Sequence, residues 1–361
     1  MTSPQKYNRM MHTERLLKLL HNEEQLSTEI RIHINERARC FLDGVVSDAE
    51  RFLRDDLDYE KHTENEIRTL IQSVPDTLTM KNSDGMYPIQ SITWDYSDDG
   101  FNAKAIPFLP VLADEGAKLN VGGDGMRGGV LIKSCRDEES DCVLEELISV
   151  RQCEDECSDA EKRKHIESLC LDAIKNLREL GLFEKDDIRR YNLLSKSCHP
   201  SSIDRFNYLV DWNPGALKEK YSFDGKWSPS LLSSVIVERE SIENFEIALK
   251  AGLHHFPHAL GFLFLKTRGE AHTLFRKASE LYGKVETWSV VEECFKNMNH
   301  KEEVFEKAPF ISIAKAVNTN ELDVLYYILK HHPIVLERLK CNRKRKREKG
   351  EDKKCPFDMD E

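Results

Sequence analysis

Apolar residues recur at spacings of three and four along most of the chain, with polar residues between them. This is the period of an amphipathic helix that buries one face. Clear stripes are Leu26, Ile30 and Ile34, then Ile242, Phe245 and Leu249, and then Leu322, Leu325 and Leu329. The pattern predicts paired helices joined by short turns.

Start and stop signals place these helices more closely. A capping box, Ser158-x-x-Glu161, predicts the start of a long helix that ends at Gly181. Gly252 and Gly283 predict the ends of two further helices. The other predicted helices are 10–57 in several pieces, 187–197 paired with 202–212, 228–237 paired with 241–251, 270–282, and 309–317 paired with 321–331.

One short pattern repeats along the chain. It reads L-I-Q-S-V-P-D-T-L at 70–78, L-V-D-W-N-P-G-A-L at 209–217 and I-L-K-H-H-P-I-V-L at 328–336, with a looser copy at 252–260. An apolar pair ends each helix, the proline prevents its continuation, and the final leucine returns the chain to the core. The gaps between copies fit multiples of a unit of about 35–43 residues.

The stretch 76–120 contains one complete unit. Residues 82–85, Asn-Ser-Asp-Gly, predict a turn, because Asx side chains bond their own backbone and glycine accepts positive φ. Pro88 then stands at a natural first helical position. A second helix is predicted from Ala103 to Glu115, with Gly116 as its stop. Turn, helix, helix and glycine stop is the unit of a stacked helical repeat.

The same stretch resembles an ankyrin repeat. Asp84-Gly85, Tyr87-Pro88-Ile89-Gln90 and 116–120 stand where that family has D-x-x-G-x-T-P-L-H and G-A-x-x-N. Tyr87 replaces threonine, Gln90 replaces histidine, Ile92 replaces alanine, and extra residues around 95–102 separate the helices. The chain is similar to uncharacterised ankyrin-like families of unicellular algae. The resemblance implies an all-α solenoid that binds proteins through its finger tips and concave helix face, without catalysis.

This interpretation divides the chain into three parts. Residues 1–60 are predicted to form a helical cap, 61–337 an ankyrin-like array, and 338–361 a disordered charged tail. The acidic, cysteine-bearing segment near 134–181 breaks the period. It is either an insertion or enlarged repeat within the array, or a boundary between two sub-arrays near 135–158.

Composition narrows the classes of partner. The net charge is -11, which argues against nonspecific nucleic-acid binding by the body of the protein. Charged residues make up 32% of the chain against about 25% in ordinary domains, which suits the large surface of a solenoid. The sequence shows no secretory signal pattern and no apolar run long enough for a bilayer, so we expect a nuclear or cytoplasmic protein without a membrane. Its ten cysteines are then expected to be reduced thiols.

No residue set predicts an enzyme, a cofactor or a metal site. The cysteines between Cys135 and Cys198 lack the paired C-x2-C spacing of zinc sites. His254 and His258 are four apart, but Pro257 between them indicates a loop and a helix start. Residues 122–129 resemble a phosphate-binding loop but lack its G-K-[ST] ending, so a turn is predicted there. An enzyme remains a third alternative, which would require a deep pocket with perturbed pKa values.

The candidate binding residues follow from the family resemblance. The expected finger tips are 81–86, 123–127 and 221–227. Aromatic and arginine side chains dominate protein interfaces, so Arg127, Tyr221, Phe223 and Trp227 are the predicted protein contacts. Trp227 equally suits packing between repeats.

The tail carries the sharpest short motif, the basic run Arg343, Lys344, Arg345, Lys346 and Arg347. Such a run suits an import receptor's acidic groove, a nucleic-acid backbone, or a solubilising tail. The predicted function is therefore a protein-interaction scaffold or adaptor. The alternative is a nuclear regulatory protein whose tail contacts nucleic acid while the array recruits a partner.

Overall fold

The computed structural model describes the middle of the chain. The described residues are 47, 49–53, 56–82, 85–93, 103–133, 141–149, 160–218, 221–223, 226–228, 230–237, 241–257, 262–263 and 273–297. They fall into two compact units, divided between Val143 and Leu144; we call them unit 1 and unit 2. Most of the predicted cap, the predicted helices at 309–317 and 321–331, and the predicted tail lie outside these residues.

Unit 1 is helical over most of its described length. A capping box starts its first long helix, because Thr63 Oγ1 accepts the Glu66 N–H at 3.3 Å and Glu66 Oε2 accepts the Thr63 N–H at 2.8 Å. Ile67 and Ile71 form the buried face of that helix. Residues 49–53 are helical, and the helices that follow are α1 (Glu64–Ser73), α2 (Asp76–Thr79), α3 (Pro88–Thr93) and α4 (Leu109–Lys118), with 3₁₀ turns at Ala103–Phe108 and Arg127–Gly129.

The turn and the helix start predicted before α3 are confirmed. The Gly85 N–H donates to the Asn82 carbonyl at 3.0 Å, and Gly85 has a φ of 79°. The Asn82 side chain accepts the Met86 N–H at 2.9 Å, so it bonds the backbone of its own turn, as the sequence predicts. Pro88 is the first residue of α3.

The helix predicted from Ala103 to Glu115 differs in the structure. Its first part is a 3₁₀ turn that contains Pro107, and α4 follows at Leu109. Gly116 does not end α4 but lies in its last turn, where a Cβ atom would stand 2.6 Å from the carbonyl oxygen of Gly128. The prediction was wrong because this glycine serves a close approach of two backbones rather than a helix stop.

Unit 2 is also mostly helical. A long helix ends at Gly181 as predicted, with φ of 72°; the Gly181 and Leu182 N–H groups return to Arg178 and Leu177, which is a Schellman ending. Its elements are α5 (Val143–Ile148), whose first residue precedes the division, α6 (Ala160–Glu179), α7 (Asp187–Arg190), α8 (Leu193–Ser197), α9 (Ile203–Trp212), α10 (Leu231–Val237), α11 (Ile242–His255), α12 (Leu274–Tyr282) and α13 (Lys284–Lys296), with 3₁₀ turns at Pro200–Ser202 and Pro214–Lys218.

Strands β1 (Tyr221–Phe223) and β2 (Lys226–Ser228) form an antiparallel hairpin in unit 2. The described residues are therefore mostly helical, as the all-α prediction requires, with this small sheet added. Ser228 belongs to β2, so the helix predicted to begin there begins at Leu231 instead.

Two other predicted helix bounds in unit 2 were wrong. The helix expected at 187–197 is split into α7 and α8 by Asn192, which has a φ of 52°. Gly252 does not end α11, which continues to His255. Gly252 is buried. The helix ends at His255, Phe256 is its C-cap residue, and Pro257 follows. Gly283, with φ of 95°, separates α12 from α13 as predicted.

The helix ends that precede the repeated prolines share one backbone geometry. The residue before the proline is Val74 in unit 1, at φ -137° and ψ 71°, and Asn213 in unit 2, at φ -135° and ψ 72°. Phe256, in the looser copy, has φ -133° and ψ 57°. Proline excludes the helical region for the residue before it, and in each copy that residue's N–H still donates to the carbonyl four positions earlier.

The chain returns to the core in the same way after two of these prolines. Leu78 and Leu217 stand at equivalent positions and are 2% and 1% exposed. The Thr77 N–H donates to Val74 at 3.1 Å, and the equivalent Ala216 N–H donates to Asn213 at 3.0 Å. The predicted role of the repeated pattern is confirmed at both places. The copy at 328–336 lies outside the described residues.

Candidate functional site

An arginine stacked on two aromatic rings marks the surface of unit 2. The Arg178 Cζ atom lies 4.3 Å from the ring centroid of Trp212 and 5.7 Å from that of Tyr208. Arg178 Nη1 also donates to the Tyr208 hydroxyl at 3.0 Å. Arg178 is exposed, while both aromatic residues are half-buried. We call Arg178, Tyr208 and Trp212 the arginine–aromatic cluster.

Two helix ends position this cluster. Tyr208 and Trp212 are four residues apart on α9, so their rings lie on one face, with centroids 6.3 Å apart. Arg178 stands in the last turn of α6. After the Schellman ending at Gly181 comes Phe183, which is 2% exposed and whose ring is T-shaped to that of Trp212, with centroids 4.9 Å apart. The indole therefore packs against the buried Phe183 and also contacts the exposed guanidinium.

The charge of Arg178 is balanced differently from that of other arginines. Its contacts with described residues are with aromatic groups, and none of these residues gives it a carboxylate within ion-pair distance. Other arginines have such a partner: Arg68 binds Asp114 and Glu115, Arg205 binds Glu167, and Arg276 binds Glu280. A cation over a tryptophan at an exposed site gains about 0.5–1 kcal/mol, so the side chain is ordered while its charge stays accessible.

Charged and titratable groups border the cluster on α9 and α11. The Asp211 side chain, beside Trp212 in sequence, is 72% exposed and has Oδ1 3.4 Å from His255 Nε2. Burial, followed by repulsion from His254, lowers the pKa of His255. His254 and His255 end helix α11 rather than standing in a loop, so that prediction was wrong; His258 lies outside the described residues.

The structure places three of the predicted contact residues in the hairpin. Tyr221 pairs with Ser228, and Trp227 pairs with Ser222. Phe223 pairs with Lys226 at the turn end. Because neighbours in a strand alternate between faces and paired residues share one, position 227 lies on the opposite face of the hairpin from positions 221 and 223.

The fourth predicted contact, Arg127, lies in unit 1. It is half-buried and has a φ of 49° at the start of a 3₁₀ turn. The preceding glycine-rich loop bonds to itself: the N–H groups of Gly123, Met126 and Gly129 donate to the carbonyls of Asn120, Gly123 and Met126. Amides used in this way are not presented to a phosphate, and the turn interpretation is confirmed.

The remaining features singled out in the sequence are the cysteines, the candidate metal ligands, the apolar runs and the basic run. Cys142, Cys170, Cys198 and Cys294 are buried, which suits thiols that pack in a core. No group of potential ligands in the described part of the chain could hold a metal ion. No helix among the described residues has the length and apolar character for a membrane crossing. The basic run 343–347 lies outside them.

Sequence reasoning missed the arginine–aromatic cluster. The i, i+4 spacing of Tyr208 and Trp212 beside the buried stripe of Phe206, Leu209 and Val210 was the available signal. No local sequence pattern relates this aromatic pair to Arg178, which lies thirty positions before Tyr208. Only the packing of α6 against α9 brings the two together.

Three comparisons with known proteins complete the description. No family model, no curated protein and no solved structure matches the chain, so any function must be inferred from its own residues.

Proposed function

We propose that this protein is a non-catalytic interaction scaffold, built from ankyrin-like two-helix modules, that binds other proteins. The observation that carries the proposal is the arginine–aromatic cluster: Arg178 lies 4.3 Å over the Trp212 ring and remains exposed. Trp, Tyr and Arg are the residues that contribute most to protein interfaces. Their ordering before binding reduces the entropy lost when a partner docks.

A hydrogen-bonded bridge in unit 1 supports the modular architecture. Gln90 Oε1 accepts the Tyr87 N–H at 2.9 Å, and Gln90 Nε2 donates to the Lys133 carbonyl at 3.1 Å. The bridge spans 43 residues of sequence, which is one unit of the proposed repeat. It links the turn before α3 to the chain that follows the glycine-rich loop. Successive modules of a solenoid need contacts of this kind, because each contacts only its neighbours.

The matching helix ends support the same architecture. Val74 and Asn213 agree within a few degrees in both backbone angles, although they belong to different units. A repeated local structure at a repeated sequence pattern is what a tandem array requires. In this proposal the hairpin 221–228 and the turn at Arg127 are finger tips and provide further contacts, through Tyr221, Phe223, Trp227 and Arg127.

The test is interaction mapping with the full-length chain. Cells expressing the wild type, Arg178→Gln or Trp212→Ala are treated with a crosslinker, and captured proteins are quantified by mass spectrometry. Arg190→Gln is the matched control, because Arg190 is also exposed and lies 5.7 Å from the Tyr191 ring without a tryptophan.

The proposal predicts one set of proteins that both cluster variants lose and the control retains. Thermal melting of each variant verifies that the fold is intact. Equal recovery by all four proteins would reject the arginine–aromatic cluster as the binding surface, and absence of any reproducible partner would reject the scaffold function itself.

A further inference from the structure

We infer that the arginine–aromatic cluster binds an acidic protein segment, with an Asp or Glu carboxylate on Arg178 and an adjacent apolar side chain on the neighbouring surface. This inference rests on the proposed binding function and names the chemistry of the partner. It commits to a carboxylate-bearing peptide rather than to a phosphorylated one or a nucleic acid.

The first step is the hydrogen-bonding capacity of Arg178. A guanidinium has five N–H donors in a planar fork. Tyr208 takes one donor, on Nη1, and the guanidinium carbon lies 4.3 Å from the Trp212 ring centroid. Among the described residues no carboxylate competes for that edge. A carboxylate matches it with two parallel hydrogen bonds, which are stronger and more directional than a neutral contact.

The second step is the sign and size of the surrounding charge. Glu179 is the exposed neighbour of Arg178, and the Asp211 side chain beside Trp212 is 72% exposed. The whole chain carries a net charge of -11. One carboxylate meets one arginine here with modest repulsion from the acidic residues nearby. A phosphate, with a charge of about -1.5 to -2, and a polyanionic nucleic acid carry more negative charge than this single guanidinium neutralises.

The third step is the apolar surface beside the charge. Leu180, two positions after Arg178 at the same helix end, is 43% exposed, and among the described residues Leu281 is the other strongly exposed leucine. It follows α6 directly and precedes the Schellman glycine, so it is displayed at a rigid turn. The half-buried Trp212, whose ring contacts the guanidinium, itself offers apolar area beside the charge. An acidic residue flanked by an apolar one matches this combination.

The experiment is a selection of random twelve-residue peptides displayed on phage against the immobilised full-length protein. Selected peptides are synthesised with a fluorescent label, and their affinities are measured by fluorescence polarisation. Each is compared with a version in which every Glu or Asp is replaced by Gln or Asn, and with one in which the acidic residue is phosphoserine. The protein variants are Arg178→Gln, Arg178→Lys and the control Arg190→Gln.

The expected result is enrichment of peptides with an acidic residue beside an apolar one. Their affinity should fall about tenfold or more, a hot-spot effect, on amide replacement or in Arg178→Gln. It should fall less in Arg178→Lys, which keeps the charge but loses the planar fork, and should not change in Arg190→Gln. Phosphoserine versions should bind no better than the acidic ones.

Three outcomes overturn the inference. Selected peptides without acidic residues, or acidic peptides indifferent to Arg178→Gln, would reject it while leaving protein binding in place. Tighter binding of the phosphoserine versions would assign the arginine–aromatic cluster to phosphopeptides instead. A selection that yields no binding peptide would reject both this inference and the use of the cluster as a docking surface.

Discussion

Arg205 and Glu167 form an ion pair inside unit 2, with Arg205 Nε 2.6 Å from Glu167 Oε2 and side chains that are 1% and 6% exposed. The Arg205 backbone N–H donates to Glu167 Oε1 at 2.9 Å, and Nη1 donates to the Leu147 carbonyl at 2.7 Å. One carboxylate and one guanidinium thus connect α6, α9 and α5. Charges this deeply buried persist only when they are paired and hydrogen-bonded.

We expect Glu167→Gln to lower the free energy of unfolding by about 3–5 kcal/mol, because it leaves the buried guanidinium without a counter-charge. The measurement is urea unfolding followed by far-ultraviolet circular dichroism. The double variant Glu167→Leu, Arg205→Met removes both charges and should recover most of the lost stability. A cost below about 1 kcal/mol for Glu167→Gln, the level of an exposed pair, would contradict the structural role assigned to this contact.

Gln90 provides a direct test of the modular architecture. Gln90→Leu keeps the apolar part of the side chain but removes the hydrogen bonds to the Tyr87 N–H and the Lys133 carbonyl. Since Gln90 is 3% exposed, we expect unit 1 to lose about 1–3 kcal/mol of unfolding free energy, measured in urea.

Gln90→His is the informative second variant. A neutral imidazole has one acceptor and one donor nitrogen, and histidine is the residue that the ankyrin resemblance places here. It should remain closer in stability to the wild type than Gln90→Leu does. If Gln90→His lowers the free energy of unfolding as much as Gln90→Leu does, the side chain at position 90 does not form the proposed bridge.

The glycines of the loop in unit 1 should differ sharply in their tolerance of alanine. At Gly128, with φ of 70°, a Cβ atom would stand 1.9 Å from the Ala113 carbonyl oxygen and 2.7 Å from the Ala117 nitrogen. At Gly125, with φ of 81°, nothing lies within 4 Å. Gly125→Ala should therefore lose only the about 1–2 kcal/mol of a left-handed alanine.

Gly128→Ala adds a backbone clash to the same strain, so we expect a loss of about 3–5 kcal/mol. Hydrogen exchange of the α4 amides measures the difference locally, because the clash is with that helix. Equal losses in the two variants would mean that the loop does not pack against α4 as closely as described.

Signals carried by neighbouring residues allowed much of the local structure to be predicted. The proline ending at Val74, the Schellman glycine Gly181 and the start of α3 at Pro88 depend on backbone sterics within a few residues. The role of Gly116 was predicted wrongly because its close neighbour, Gly128, is distant in sequence. The role of Gly252 was predicted wrongly because the helix continues past it to His255, close to Pro257. The identity of the residue alone does not distinguish a glycine needed for close packing from a glycine that ends a helix.

The candidate site was less predictable for the same physical reason. The predicted aromatic contacts were chosen from one short segment, 221–227, and the structure shows that segment as a hairpin. The arginine–aromatic cluster combines α6 with α9 through tertiary packing. Stacking of Arg178 on Trp212 depends on the crossing of two helices, and no local rule relates the two positions.

The stability of unit 2 should depend on pH through His255. Burial is the main cause that lowers the pKa of His255 below the ordinary 6.5, repulsion from His254 adds to it, and Asp211 opposes both. Below about pH 6.5 the unfolded chain therefore binds more protons than the folded one. The contribution of His255 to stability is present above about pH 6.5 and is lost as the pH falls through its folded pKa.

His255→Gln should flatten this part of the stability profile, seen as a smaller shift of the urea midpoint between about pH 7.5 and about pH 5 than in the wild type. Asp211→Asn removes the attraction that favours the protonated ring, so it should lower the pKa further and make the dependence steeper. His254→Gln removes a repulsion and should make it shallower. An unchanged slope in His255→Gln would show that another titrating group governs the acid sensitivity of this unit.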